Sequence, residues 1–347
     1  MHYLADVTVE YIYKRCQFPV PTGPNFVVDN MLKVFDTFVR GWKPVDEDEP
    51  SGVPGNAEEV CLNALVFACV WGIGAQIDET TRARYDELLQ DVIAGEDVIA
   101  KHEMELSDKH PEPLRFKTNL GTEFSSLFDI SFNPEEMKWV NWLKTVPPYE
   151  IPVGASFAKV IVPTIDSIRT AALLQRLLTN RKHTLLCGPT GTGKSISVLH
   201  QLTESFQNEE WTFISLAFSA QTSANQTQNI IDGNMDRRRK GIWGPKAGKS
   251  AIIFVDDLNM PKKEVYGAQP PIELLRQWMD YEGWYELDGE KEFRKTVGVT
   301  FCAAMQPPGS QKTITNRYIR HYNVVYVEPY SDDSLKTIFG SVMDWMF

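Results

Sequence analysis

Thr184-Leu-Leu-Cys-Gly188-Pro-Thr-Gly-Thr-Gly-Lys194-Ser195 decides how this sequence is read. Thr184 to Cys187 has the apolar run of a short buried strand. Gly188 to Ser195 fits G-x-x-x-x-G-K-[S/T] without mismatch, and a helix is expected from Lys194 to Glu204. A glycine turn can fit that pattern by chance, but a strand before it and a helix after it are the context the chemistry needs. Glycines permit backbone angles that aim successive N–H groups inward at phosphate, and the helix adds its positive N-terminal end. The expected cradle for the phosphates of ATP or ADP is Gly188, Pro189, Thr190, Gly191, Thr192, Gly193, Lys194 and Ser195. In it Lys194 reaches the β- and γ-phosphates and the Ser195 hydroxyl ligates Mg²⁺.

Further along, Ala251-Ile-Ile-Phe-Val-Asp256-Asp257 describes a buried strand that delivers carboxylates at its C-terminal end. Such a strand is a weak signal alone and a strong one after a phosphate loop. Asp256 is expected to hold Mg²⁺ through water. Asp257 stands where a carboxylate would polarise an attacking water. The strand Thr300-Phe-Cys-Ala-Ala-Met305 ends on Gln306, which could orient that water or touch the γ-phosphate; a polar residue opening the Pro307-Pro308 turn is the competing reading. Arg317 and Arg320, in Asn316-Arg-Tyr-Ile-Arg-His321, suit a finger offered in trans to a neighbouring nucleotide, or a solvated helix face.

Around these motifs the pattern alternates. Helices are expected at Ile165 to Leu178, Gln221 to Asp232 and Ile272 to Tyr281, with strands at Trp211 to Ala217, Ser250 to Val255 and Val297 to Met305. That alternation predicts an α/β fold, a parallel sheet flanked by helices, with ligands beyond the C-terminal strand ends. The basic Arg237-Arg-Arg-Lys240 segment reads as a solvated loop in preference to a contact. The first third reads as helical, over Val27 to Val39, Glu58 to Trp71 and Thr80 to Ala94, with a loop around the acidic Asp46 to Glu49 run. Short strands are expected between Pro111 and Pro148, with Trp139 and Trp142 as packing anchors.

The 347 residues are 43% hydrophobic and 23% charged, as in ordinary globular protein, and their length suits two or three domains. A formal charge of −11 repels nucleic acid and anionic membrane, so neither is expected as a partner. The five cysteines form no C-x-x-C pair and read as buried thiols. Cys61 to Ile77 is apolar but shorter than a bilayer span, and reads as a buried helix with its following turn.

The order of phosphate loop, acid-ended strand, polar strand end and arginine pair resembles an AAA+ ATPase module. Phe218-Ser-Ala-Gln-Thr-Ser-Ala-Asn-Gln-Thr-Gln228, Val255-Asp-Asp-Leu-Asn-Met-Pro261 and Tyr266-Gly-Ala-Gln-Pro-Pro-Ile-Glu-Leu-Leu-Arg-Gln277 resemble the third such module of the axonemal dynein heavy chain ring. Phe67-Ala-Cys-Val-Trp-Gly-Ile-Gly74 is similar, more loosely, to the small helical subdomain of the second module. The resemblance implies three parts. Residues 1–110 would be a helical small subdomain, 111–156 a linker with short strands, and 157–347 an α/β P-loop large subdomain, the whole lying inside a longer polypeptide. It places adenine at Val162-Pro-Thr-Ile165 and assigns Arg317 to the site of the second module.

Two departures from the family pattern bear on turnover. Asp257 stands in place of a glutamate, although the aspartate is familiar in the axonemal branch, and Gln306 in place of an asparagine. Aspartate sets its carboxylate back by roughly 1.5 Å, and misplacement of that order can slow a reaction about 100-fold. The implied function is an ATP-binding, slowly hydrolysing regulatory module of a microtubule motor in the cytoplasm, cytoskeleton and ciliary or flagellar axoneme. Its implied partners are neighbouring AAA+ modules of the same heavy chain and dynein intermediate and light chains, with the microtubule engaged indirectly. Weighed against it are a non-catalytic nucleotide-holding scaffold and a free-standing P-loop NTPase.

Overall fold

The computed structural model describes residues 2–42, 52–105, 120, 124–145, 151, 160–287, 291–309 and 313–346. The acidic run at Asp46 to Glu49, the Pro147-Pro148 pair and the expected boundary at Phe157 lie outside them. The chain divides into two units, residues 1–173 with 328–347, and residues 174–327.

The first unit carries α1 (His2–Arg15), α2 (Pro24–Val39), α3 (Ala57–Ala68), α4 (Glu79–Ala94), the short α5 (Val98–Lys101), and the antiparallel pair β1 (Ile130–Asn133) and β2 (Lys138–Asn141). It also holds the N-terminal part of α6 (Ile165–Thr179). α3 widens into π-helical turns over Cys69–Ile73. There α2 crosses so closely that a Cβ on Gly72 would lie 2.6 Å from Met31 Cα, so only glycine fits. The Ala57–Gln76 stretch is long and apolar enough to span a bilayer, yet 72% of its most apolar window is buried within the protein. Its aromatic residues explain why. Trp71 packs edge-to-face on Phe128 and on Trp142, and Phe67 on Phe38. Trp142 is therefore a buried anchor, and Trp139 is fixed by its indole N–H donating to Asn63 Oδ1 at 2.7 Å. α1 was not anticipated. Leu4, Val7 and Tyr11 nevertheless recur at helical spacing, and they are buried together with Ile12.

The second unit is the expected α/β layer. In chain order it holds β3 (Thr184–Cys187), α7 (Lys194–Phe206), β4 (Trp211–Ala217), α8 (Ala224–Asp232), β5 (Met235–Arg239), β6 (Ile242–Pro245) and β7 (Ser250–Asp256). α9 (Pro270–Tyr281), β8 (Gly283–Tyr285), β9 (Phe293–Thr296), β10 (Val299–Met305), α10 (Asn316–Ile319) and β11 (Asn323–Tyr326) follow. After them α11 (Asp332–Met346) belongs to the first unit. The main sheet is parallel throughout, ordered β11-β3-β10-β7-β4. β3, β7 and β10 are near-continuous apolar runs because helices leave neither face to water.

Two local expectations change. α8 starts at Ala224, where Ser223 and Gln226 form a reciprocal capping box, so Gln221 to Ser223 are a turn. Arg237 to Arg239 form strand rather than loop. They belong to β5 of a second sheet, ordered β5-β6-β9-β8, in which Gly241 at φ +72 closes the β5–β6 hairpin. Their side chains are exposed all the same.

Candidate functional site

The phosphate loop leaves the C-terminal end of β3, the second strand of the sheet, and turns directly into α7. Gly188 lies so close to the residue that follows β11 that a Cβ there would lie 2.3 Å from Val327 O. Gly191 and Gly193 sit at φ +86 and +70, the left-handed region that favours glycine. A Cβ on Gly191 would meet nothing within 4 Å, so protein atoms leave space above the loop. Thr192 is buried and its hydroxyl donates to Pro189 O at 3.0 Å, bracing the turn from within. Lys194 Nζ folds over the loop, 2.5 Å from Pro189 O and 3.1 Å from Thr192 Oγ1. Burial holds its ammonium below the usual lysine range, against the opposing pull of Cys187, Asp256 and Asp257.

β10 separates β3 from β7, and β7 delivers Asp256 beside the loop. The Ser195 hydroxyl donates to Asp256 Oδ1 at 2.8 Å, although the two residues are 61 positions apart. Its lone pairs remain for a cation. A hydroxyl beside a carboxylate is the hard oxygen donor set that Mg²⁺ takes, so Ser195 and Asp256 would hold it. The Asp257 amide also donates to Asp256 Oδ1, at 3.0 Å. Asp257 is exposed and lies at φ +52, a conformation L residues adopt at a cost and aspartate tolerates better than most. The resulting cleft of about 320 Å³ is lined by Thr190, Gly191, Lys194, Ser195, Asp256, Asp257 and Gln306 among others. The fold thus brings together the phosphate loop, both aspartates and Gln306 from three strand ends.

The remaining expected site residues are not among those that line this cleft. Val162, Pro163, Thr164 and Ile165 belong to the first unit. Thr164 is buried and caps α6, its amide donating to Ser167 Oγ at 2.8 Å and its hydroxyl accepting from the Ser167 amide at 3.3 Å. Arg317 and Arg320 lie in and just after α10, both exposed. They differ in their ties. Arg320 Nη2 pairs with Asp280 Oδ1 at 2.7 Å, beside Arg276 and His321 on the same carboxylate. Arg317 carries no ion pair among the described residues. Asp280 and Asn259 were not singled out from the sequence, although Asn259 lies inside the quoted Val255–Pro261 string. The described residues hold no cluster of three His, Cys, Asp or Glu that could bind a metal.

A phosphate loop on β3, paired carboxylates on β7 and a polar end on β10, within one parallel sheet, define a P-loop module of the AAA+ class. Residues 149–330 match the family described as the P-loop containing dynein motor region, and residues 1–144 match the dynein heavy chain AAA lid domain. The chain belongs to the dynein heavy chain motor family, whose P-loop modules bind nucleotide. Human dynein axonemal heavy chain 3 is 35% identical over 99% of this chain. Mouse dynein axonemal heavy chain 1 is 38% identical over 91%, and mouse dynein axonemal heavy chain 12 is 37% identical over 81%. The chain spans only 8%, 8% and 9% of those three proteins.

Proposed function

We propose that this chain is an ATP-binding regulatory module of an axonemal dynein heavy chain, hydrolysing slowly and gating the mechanochemical cycle of the ring. The observation that carries the reading is the 2.8 Å Ser195–Asp256 hydrogen bond in a cleft shared with Lys194, Asp257 and Gln306. Lys194 neutralises the β- and γ-phosphates, the Ser195 hydroxyl with Asp256 holds Mg²⁺, and Asp257 with Gln306 addresses the water and the γ-phosphate. When bound, the metal would supply charge neutralisation at the phosphates. Asp257, one methylene short of glutamate, supports slow turnover. The neighbouring modules of the same chain and, indirectly, the microtubule are the partners in this reading, and the ciliary or flagellar axoneme the location.

Calorimetric titration with Mg·ATP and Mg·ADP tests the binding. Lys194→Ala removes a charge-assisted contact worth about 2–3 kcal/mol, so about 30- to 150-fold weaker binding is expected. Equal affinity in wild type and variant overturns the cradle. In an intact ring, Lys194→Ala or Asp257→Asn is expected to alter motor cycling. A folded ring that cycles normally with either substitution favours a nucleotide-holding scaffold instead.

A further inference from the structure

Asn259 is 2% exposed and lies two residues beyond Asp257, which lines the cleft. A buried amide in a tight turn is retained at a desolvation penalty unless its hydrogen bonds are made. Its Nδ2 donates to the backbone carbonyl of Gln306 at 3.1 Å. The bond lies where the regular ladder has ended, because β10 stops at Met305 and Pro307 follows. Backbone bonds hold the last turns of β10 just before it. Leu258 N donates to Ala304 O at 3.0 Å, and Gly188 N donates to Met305 O at 3.2 Å. Asn259 continues that series by one residue with a side chain in place of a backbone amide.

The same turn carries the strained Asp257, closed by Met260 N donating to Asp257 O at 2.9 Å. One short segment therefore fixes two things, the backbone that presents Asp257 and the carbonyl that sets the direction of Gln306. Loss of the Asn259 bond removes a tie between the turn after β7 and the Gln306 carbonyl, and with it part of what fixes the origin of the Gln306 side chain.

We infer that Asn259 is a positioning residue that aims Gln306 at the γ-phosphate and so lets the site distinguish ATP from ADP. The inference rests on the nucleotide reading above and goes beyond it, since neither the phosphate loop nor the aspartates require Asn259. ADP lacks the group that Gln306 addresses. Misaiming Gln306 therefore weakens ATP and leaves the α- and β-phosphate contacts of the loop in place. A purely structural role would weaken both nucleotides together.

The test is calorimetric titration of the 347-residue chain with Mg·ATP and Mg·ADP, in wild type, Asn259→Asp, Gln306→Ala and the double variant. One hydrogen bond to a charged group is the interaction at stake, so a roughly tenfold fall in the preference for ATP is expected for either single variant. The double variant is expected to fall no further than the singles, because both act through one contact. Asn259→Leu, close in size and without a donor, serves if the aspartate unfolds the turn, with thermal unfolding as the check. A Gln306→Ala chain that keeps the wild-type ATP preference overturns the inference, since nothing then remains to be aimed. Additive losses, or equal losses for both nucleotides, also overturn it. Wild type that binds neither nucleotide overturns the underlying nucleotide reading, whereas wild-type binding with an unchanged preference in the variants overturns this inference alone.

Discussion

The nucleotide cleft of the second unit and the buried ion-pair cluster of the first are both polar, and the sequence writes them in opposite ways. In the cleft, Lys194 and Ser195 share one octapeptide, and Asp256 arrives with the apolar strand that delivers it. In the first unit, Arg82 on α4 pairs with Glu328 after β11, and Arg169 on α6 pairs with Asp129 at 2.6 Å and with Asp166 at 3.2 Å. Arg82 Nη2 also donates to Ile77 O at 3.0 Å, and its guanidinium lies 5.1 Å from the centre of the Phe128 ring. No motif announces these residues. A local string of chemistry serves a ligand, while charges gathered from distant segments serve the fold.

The largest expected effect breaks the second member of that comparison. Burial pushes the Glu328 carboxyl up to about 6, against the opposing pull of Arg82, and burial lowers the Arg82 guanidinium. Both shifts run against the charged forms, so the pair is held at a desolvation cost. Removing only one partner leaves a buried charge unmatched, which costs about 3–5 kcal/mol. Arg82→Met is expected to destabilise the protein by that much at pH 8. The sign with pH follows from the raised value. The stability contributed by protonated Glu328 is full below its unfolded value of about 4.3 and is lost as pH rises through about 6. Without Arg82 the folded value rises further, so the variant's deficit shrinks on acidification toward pH 5. Urea unfolding at the two pH values measures it, and a deficit that does not change with pH contradicts an ionic pair.

The cleft breaks differently. Ser195→Ala removes a candidate metal ligand and leaves the fold, so it is expected to weaken ATP binding about 10- to 30-fold in magnesium. With EDTA present, wild type and variant are expected to converge, because the hydroxyl acts through the ion. A gap that persists in EDTA assigns Ser195 directly to phosphate. Asp257→Glu sharpens the same point with a smaller effect. Restoring the missing methylene is expected to speed single-turnover hydrolysis in an intact ring about tenfold with unchanged affinity. No change in rate would mean that Asp257 already reaches the water.

Legibility in the sequence follows the same division. Thr184–Cys187 emerges at its expected bounds because a strand buried on both faces of a parallel sheet has to be an apolar run, and Trp211–Ala217, an edge strand with Thr212 and Ser215 in it, does so on its aromatic and branched residues. The phosphate loop and the paired aspartates are equally legible. β11 is missed, since Asn323–Tyr326 is four residues long and follows a polar turn. The second sheet is missed for a different reason. Met235-Asp-Arg-Arg-Arg239 is an exposed edge strand whose charges discourage pairing with other chains, so its composition reads as loop. Asn259 escapes notice because the carbonyl its Nδ2 bonds lies 47 positions away.

The smallest effect concerns the arginine pair, which the sequence could not divide. Arg320 is tied to Asp280, an acid that also holds Arg276 and His321, and these partners together keep its carboxyl below the usual range. Arg320 is 59% exposed, so its pairing is worth less than about 1 kcal/mol and should fade in concentrated salt. Arg320→Ala is expected to lower stability by that small amount at low salt and by nothing measurable at 1 M, whereas Arg317→Ala is expected to change stability in neither condition. A finger offered in trans has to leave its cis partners, and Arg317 has no ion pair to leave among the described residues. In an intact ring, Arg317→Ala is therefore expected to slow turnover at the adjoining site more than Arg320→Ala does. The reverse order would show that the Asp280 contact orients Arg320 for its neighbour rather than restraining it.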